Sequence, residues 1–156
     1  PAQCTLVPDA PDQRTSDHGW DLASDGDRLR PIISDLRSRG IRVSLFMDPD
    51  PVVIANAAKV DADRIEIYTE PYAKAFGTQD QAESLDACAK CAEEAERMGL
   101  GVNAGHDLNL QNLPALIQSV PGIVEVSIGH ALIADALELG LRETVGAYLS
   151  ALSSAK

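Results

Sequence analysis

The chain has 156 residues, of which 45% are hydrophobic and 24% charged, and its formal net charge is −11. This length suits about one domain with its own core, and the composition is ordinary for a globular protein. The acidic balance argues against a nucleic-acid binder, which needs a basic surface to meet phosphates. No apolar run approaches the roughly 18 residues of a membrane-spanning helix, so we expect neither a nucleic-acid nor a membrane partner.

Five short β-rich runs alternate with helical patterns along the chain. The predicted strands are, in order, 3–9, 42–48, 64–70, 101–106 and 124–130. The predicted helices are, in order, 25–40, 49–60, 78–100, 110–120, 130–140 and 141–156. Strict alternation of strand and helix indicates a parallel sheet with right-handed crossovers.

Side-chain patterns predict the helix faces and some helix ends. Apolar residues of the first helix recur at spacings of three and four, which predicts a buried face made of Leu29, Ile32, Ile33 and Leu36. Thr78 is the expected N-cap of the third helix. Asp48 ends the second strand directly before a proline, and its expected role is to cap the helix that follows.

The three cysteines do not form a disulfide framework. Their odd number, with members at Cys4, Cys88 and Cys91, suits a reducing compartment and predicts a cytoplasmic protein. Cys88 and Cys91 are three apart in a helical pattern, so they share one face of the helix. Since no second pair of cysteines accompanies them, we interpret both as core residues and not as metal ligands.

Polar or charged residues stand at the carboxyl end of nearly every predicted strand. These residues are Asp9, Asp48, the stretch from Glu66 to Glu70, His106 and His130. In a (β/α)8 barrel this rim carries the chemistry. Five strands are fewer than eight, so an open sheet and part of a barrel both remain possible, but a further helix after the last strand favours the barrel. We predict an α/β fold, a (β/α)8 TIM barrel with extra helices, of which residues 1–156 form the C-terminal portion with about five β/α units.

Two Gly-His pairs follow two of the strands. Gly129 and His130 open a helix, where backbone N–H groups can face a phosphate, although Gly129 also suits a simple tight turn. His106 follows Gly105 at the end of its strand and is a candidate for proton transfer near neutral pH, or a histidine that only satisfies the rim.

A carboxylate and a polar loop complete the set of candidates. Alternation with Ile65 and Ile67 points Glu66 into the barrel, where a carboxylate needs a partner or a purpose. The loop after the first strand carries Thr15, whose hydroxyl either binds an oxyanion or satisfies the backbone. No HxH or HExxH spacing accompanies the three histidines, so we expect no metal.

Several motifs resemble the pyridoxine 5′-phosphate synthase family along the whole chain. The matching segments are CTLVPD, RTSDHGWD, VSLFMDPD, IEIYTEPYA, GVNAGHDLNL and VSIGHALIADAL. The resemblance implies a TIM-barrel enzyme of vitamin B6 biosynthesis that needs no cofactor and forms homo-oligomers. Such an enzyme condenses 1-deoxy-D-xylulose 5-phosphate with 3-amino-2-oxopropyl phosphate to give pyridoxine 5′-phosphate, inorganic phosphate and water.

The resemblance also implies roles for six residues. The family's proton donor falls on His106, and the glutamate that stabilises its transition state falls on Glu66. The residues implied to contact the phosphorylated substrates are Thr15, Asp107, Gly129 and His130.

The chain departs from the family in two motifs, and it lacks the family's first three β/α units. It has TSDHGWD where the family often has TTEGGLD, and YTEPYA where the family often has HTGxYA, so His18, Tyr68 and Glu70 receive no role. The family's first three β/α units, with an Asn-x-Asp-His motif and further catalytic groups, have no counterpart here. The alternatives are another phosphate-binding barrel enzyme, such as an aldolase or isomerase, and a non-catalytic half-barrel that binds phosphate ligands.

Overall fold

The computed structural model describes residues 1–154, in which five parallel strands form one sheet in chain order. The strands are β1 (Gln3–Leu6), β2 (Arg42–Met47), β3 (Arg64–Tyr68), β4 (Gly101–Gly105) and β5 (Ile123–Ser127). The helices of this part of the chain are α1 (Leu22–Ser38), α2 (Pro51–Ile54), α3 (Glu70–Ala75), α4 (Gln81–Arg97), α5 (Leu113–Ser119), α6 (His130–Leu139) and α7 (Leu141–Ser154), with a 3₁₀ turn at Ala57–Val60. The predicted α/β fold is confirmed, because parallel strands paired in chain order form consecutive units of a TIM barrel.

The two faces of the sheet differ in polarity. Leu45, Ile65 and Ile67 are fully buried in the core that the sheet shares with its helices. The alternate positions carry Ser44 and Glu66, which therefore face the inside of the barrel. Strand alternation thus separates a hydrophobic layer from a polar interior.

The first helix is longer than the sequence predicted. It begins at Leu22 instead of residue 25, because the Asp21 carboxylate caps it by accepting a hydrogen bond from the backbone N–H of Ala23. The predicted apolar face is confirmed for Leu29, Ile33 and the partly buried Leu36. Ile32 lies outside it, with 45% of its surface exposed.

Several predicted helix and strand ends are wrong, among them the ends of the predicted strands 3–9 and 124–130, which stop at Leu6 and Ser127. The third strand stops at Tyr68, and the residues from Glu70 onward form α3, where Pro71 stands in the first turn and cannot extend a strand ladder. Thr78 donates its hydroxyl proton to the carbonyl of Ala75, and Asp80 occupies the N-cap position of α4. The predicted helix 110–120 begins only at Leu113.

Asp48 does not cap the second helix. Its carboxylate accepts a hydrogen bond from the backbone N–H of Gly19, 2.8 Å away, and Asp50 is the residue whose side chain caps α2. The predicted helix 49–60 is also divided into α2 and the 3₁₀ turn. At the other end of the chain, the last two residues of the predicted helix 141–156 lie outside the described residues.

Cys88 and Cys91 lie in the core, as the sequence predicted. Both are buried and free, and burial raises the pKa of their thiols, to about 11 for Cys88 and about 12 for Cys91. The helices between residues 1 and 154 include none that is long and apolar enough to cross a bilayer.

Candidate functional site

A cavity of about 860 Å³ opens at the carboxyl ends of the strands. Its size falls in the range typical of small-molecule sites. All six residues singled out from the sequence line it, namely Thr15, Glu66, His106, Asp107, Gly129 and His130. The fold therefore brings together residues from three β/α units and from the loop after β1. The chemical role of each residue stays a prediction.

Glu66 faces the cavity from the middle of β3. Only 7% of its surface is exposed, and one carboxylate oxygen accepts a 2.9 Å hydrogen bond from the hydroxyl of Thr5 on β1. A buried carboxylate needs such a partner, because desolvation disfavours its charged form. Thr5 was not singled out from the sequence, although it occupies an inward-facing position of its strand.

Gly105 makes room for this carboxylate. A Cβ atom at position 105 would lie 2.2 Å from Oε1 of Glu66 and 2.9 Å from Cβ of Ser127. Atoms do not approach this closely, so any larger residue would displace one of its neighbours. The glycine of the Gly105-His106 pair therefore determines where Glu66 can lie.

His106 reaches the cavity at the end of β4 and contacts the loop after β1. Its Nε2 atom lies 2.9 Å from the hydroxyl of Thr15, 91 positions away in sequence. Its Nδ1 atom is buried without a hydrogen-bond partner, and Oδ1 of Asp107 lies 3.5 Å away, beyond a good hydrogen bond. One ring nitrogen thus faces a hydroxyl that can exchange a proton, and the other is held away from water.

The backbone at His106 and Asp107 is strained. Their φ angles are +94° and +56°, in the left-handed region that residues with a Cβ atom rarely adopt. Each such residue costs on the order of 1–3 kcal/mol unless its surroundings compensate. The strain turns the chain out of the strand and lets both side chains reach the cavity.

Two aromatic rings pack beside His106. The Tyr68 ring meets the imidazole edge to face at a centroid distance of 5.1 Å, and Phe46 lies 6.3 Å away. Burial, followed by the negative charges of Glu70 and Asp107, raises the pKa of Tyr68 to about 12. Tyr68 therefore stays neutral near physiological pH, and its ring packs against that of His106.

The amino end of α6 forms the opposite side of the cavity. Gly129 is its N-cap residue, and His130 is its first helical residue. The first N–H groups of a helix have no partner within the helix, so they can hold an anion. No atom lies within 4 Å of the place where a Cβ of Gly129 would stand, which leaves this end of the helix open to a ligand.

The loop after β1 is tied down at several points. Ser16 donates a hydrogen bond to the carboxylate of Asp9, and the indole N–H of Trp20 donates to the carbonyl of Leu6. His18 bonds to Asp17, which raises the pKa of the imidazole and lowers that of the carboxyl. These contacts hold Thr15 above His106.

The charge of the cavity is unusual for a phosphate site. The lining contributed by residues 1–154 contains the carboxylates Glu66 and Asp107 but no lysine or arginine. The same part of the chain contains no group of three or more potential ligands that could hold a metal ion. Any phosphate bound here would rely on backbone N–H groups, hydroxyls and histidines.

Comparison with known proteins gives one family. The model of the pyridoxal phosphate biosynthesis protein PdxJ family matches residues 1–154. A curated relative from Albidiferax ferrireducens, named pyridoxine 5′-phosphate synthase, is 58% identical over 99% of this chain and 61% of its own length. Relatives of the same name from Brucella anthropi and Brucella abortus are 51% and 52% identical over 98% of this chain and 63% of theirs. The chain thus spans about three fifths of the length of these relatives.

Solved structures show the fold alone. The HMG-CoA lyase from Brucella melitensis is 23% identical, with a TM-score of 0.55 over 83% of this chain and 49% of that one. The Amycolatopsis orientalis BexX/CysO complex is 18% identical, with a TM-score of 0.57 over 92% of this chain and 53% of that one. In both cases this chain matches about half of a larger chain.

Proposed function

Because the chain belongs to the pyridoxal phosphate biosynthesis protein PdxJ family, we propose that it forms the C-terminal five β/α units of a pyridoxine 5′-phosphate synthase. The reaction condenses 1-deoxy-D-xylulose 5-phosphate with 3-amino-2-oxopropyl phosphate and releases inorganic phosphate and water. The observation that carries this proposal is the single cavity that joins Thr15, Glu66, His106, Asp107, Gly129 and His130.

Binding begins with the phosphate of the amino-ketone. The amino end of α6, at Gly129 and His130, would hold this phosphate through backbone N–H groups. Asp107 would then face the amine of the same substrate, where its negative charge favours a cation. Thr15 would leave the His106 ring and meet the deoxyxylulose phosphate. Fixing both substrates in this way lowers the entropic part of the barrier.

Proton transfers follow once the substrates are in place. Condensation of the amine with the ketone and the later loss of water and phosphate each need a proton at a leaving oxygen. His106 would deliver one, and the contact of its Nε2 atom with a hydroxyl in the cavity supports this role. Glu66 would stabilise a cationic intermediate by its charge, and its low exposure supports this role because little water reaches the carboxylate to weaken the interaction.

We further propose that another segment completes the barrel. β1 and β5 are the two edges of the sheet and pair on one side only among the described residues. Edge strands with unpaired backbone groups normally need covering. The completing segment would also supply the cationic side chains that the two phosphates need, because residues 1–154 place no lysine or arginine on the cavity. We call this chain together with the segment that completes the barrel the assembled enzyme.

The last two helices, α6 and α7, expose apolar side chains. No residue of α6 is buried, and Ile133, Leu137 and Leu149 expose 58%, 85% and 58% of their surfaces. Apolar surface of this kind marks an interaction site. We propose that a second copy of the enzyme covers this surface, so that the enzyme is a homo-oligomer. The proposed location is the cytoplasm, where three free cysteines remain reduced.

Turnover of the two substrates tests the proposed function. We expect the assembled enzyme to convert the pair into pyridoxine 5′-phosphate and one equivalent of inorganic phosphate, and this chain alone to be inactive. The control omits either substrate in turn. A folded assembly that binds phosphate ligands without turnover would instead favour the non-catalytic alternative.

A further inference from the structure

Two buried side chains hold the strained turn at His106 from opposite sides. Thr69 is fully buried and follows β3, and its hydroxyl lies 2.8 Å from the carbonyl oxygen of Gly105 and 2.6 Å from that of His106. Asn112 is 2% exposed, and its side-chain amide donates a 3.1 Å hydrogen bond to the carbonyl of Asp107. The hydroxyl of Thr69 thus reaches the turn from 37 positions away, and the amide of Asn112 reaches it from five positions further along the chain.

The side chain of Thr69 does not cap the helix at whose start it lies. It occupies the N-cap position of α3, where a threonine hydroxyl ordinarily accepts a hydrogen bond from the helix backbone. Here it makes no capping bond and donates to the end of β4 instead. The backbone N–H of Thr69 also donates to the carbonyl of Gly105, at 2.9 Å. Loss of the hydroxyl would therefore leave the Gly105 carbonyl paired and release that of His106.

Asn112 is anchored in turn by its neighbours. Its side-chain oxygen accepts the backbone N–H of Asn109 at 2.8 Å, and the hydroxyl of Tyr72 donates to its backbone carbonyl at 2.6 Å. It thus connects α3 and the start of α5 to the turn. These hydrogen bonds hold His106 and Asp107 in a backbone conformation that the two residues would otherwise not keep.

From this geometry we propose that Thr69 and Asn112 are positioning residues that hold His106 and Asp107 in the left-handed conformation and so aim the imidazole into the cavity. Neither lines the cavity, so they act through the backbone and do not touch a substrate. The proposal rests on the proposed function for its kinetic effect, but the position of the His106 ring can be observed without turnover.

The kinetic test uses isosteric substitutions in the assembled enzyme. Thr69→Val replaces the hydroxyl with a methyl group, Thr69→Ser keeps the hydroxyl, and Asn112→Asp replaces the donor to the Asp107 carbonyl with a carboxylate oxygen and adds a negative charge. A displacement of a catalytic group by about 1 Å costs on the order of 100-fold in rate. We expect Thr69→Val and Asn112→Asp to lower kcat by that order with KM close to wild type, and Thr69→Ser to retain activity. Unchanged kcat in Thr69→Val, or an equal loss in Thr69→Ser, would overturn the proposal.

The second readout is the NMR spectrum of the assembled enzyme in which only this chain is labelled with ¹⁵N-histidine, so that its three histidines are distinguished. We expect Thr69→Val and Asn112→Asp to shift the ring and amide signals of His106, and those of His18 and His130 to stay in place. If Thr69→Val does not fold, the kinetics and the spectrum of Asn112→Asp decide whether the turn is held by these side chains. If the wild type shows no turnover, the proposed function fails, yet the spectra still decide the positioning role. His106 signals identical to wild type in both variants contradict it.

Discussion

Gly105 and Glu66 lie so close together that no side chain fits at position 105. A Cβ atom there would stand 2.2 Å from Oε1 of Glu66. Gly105 does not have a positive φ angle, so backbone conformation is not the reason for the glycine. The carboxylate needs the space, and the strand that presents His106 is consequently shaped by the strand that presents Glu66.

Gly105→Ala is expected to displace the Glu66 carboxylate and break its hydrogen bond to Thr5. Overpacking of this kind destabilises a protein by about 1–3 kcal/mol, and kcat should fall as well because the carboxylate leaves the cavity. The measurements are urea unfolding and steady-state kinetics of the assembled enzyme.

Gly146→Ala is the matched control for this substitution. Gly146 lies in α7 with open space around its Cα atom, so a methyl group should stabilise the helix by about 0.5–1 kcal/mol. A Gly105→Ala variant as stable and active as wild type would show that the carboxylate can move without consequence.

His106→Asn is expected to lower turnover far more than substrate affinity. Asparagine keeps a polar side chain but cannot deliver a proton near neutral pH, and general acid catalysis typically contributes about 10²–10⁴-fold. The comparison is between kcat and KM of the assembled enzyme. Gly146→Ala serves as a control, because Gly146 lies in α7 and is not among the residues that line the cavity. Unchanged turnover in His106→Asn would remove His106 from catalysis.

Gly129→Ala separates phosphate binding from folding. Apart from its two neighbours in the chain, no described residue lies within 4 Å of the new methyl group, so the free energy of unfolding should change little. The methyl group would, however, occupy the space in front of the helix where the phosphate is proposed to bind. We expect the dissociation constant of 3-amino-2-oxopropyl phosphate, measured by calorimetry, to rise by about tenfold, or about 1.4 kcal/mol. An unchanged constant would place the phosphate elsewhere.

The His18–Asp17 pair predicts a pH dependence in the loop above the cavity. The hydrogen bond to Asp17 raises the pKa of His18 above its ordinary value of 6.5, and the same bond lowers the pKa of Asp17 below 3.8. The stabilisation of the folded loop by His18 is complete below the pKa that His18 has in the unfolded chain, and it is lost as pH rises through the raised pKa. The stabilisation by Asp17 is complete above the pKa that Asp17 has in the unfolded chain, and it is lost as pH falls through the lowered pKa.

The pair therefore orders the loop most strongly between these two pKa values. An NMR titration of the His18 ring should give a pKa above 6.5, and Asp17→Asn should bring it back towards that value. A His18 pKa that is the same in both proteins would show that the contact does not form in solution.

Sequence patterns were sufficient for the order of the strands and for most helices, but not for α3, which was predicted neither as a helix nor as a separate element. Alternation placed Glu66 inside the barrel, since neighbouring residues of a strand face opposite sides. Helix and strand ends were less accurate, because they depend on bonds to distant segments. Asp48 shows this plainly, since its carboxylate binds the loop at Gly19 and not the adjacent helix.

The amino-acid sequence by itself determined that this chain is a run of parallel β/α units with polar residues at the strand ends, because period and alternation are local properties. Only the tertiary structure decided which groups meet. The hydroxyl of Thr5 reaches Glu66 across 61 positions, and that of Thr69 reaches the His106 carbonyl across 37. Such contacts depend on the register of neighbouring strands and on the path of each turn, and no local pattern in the sequence specifies either one.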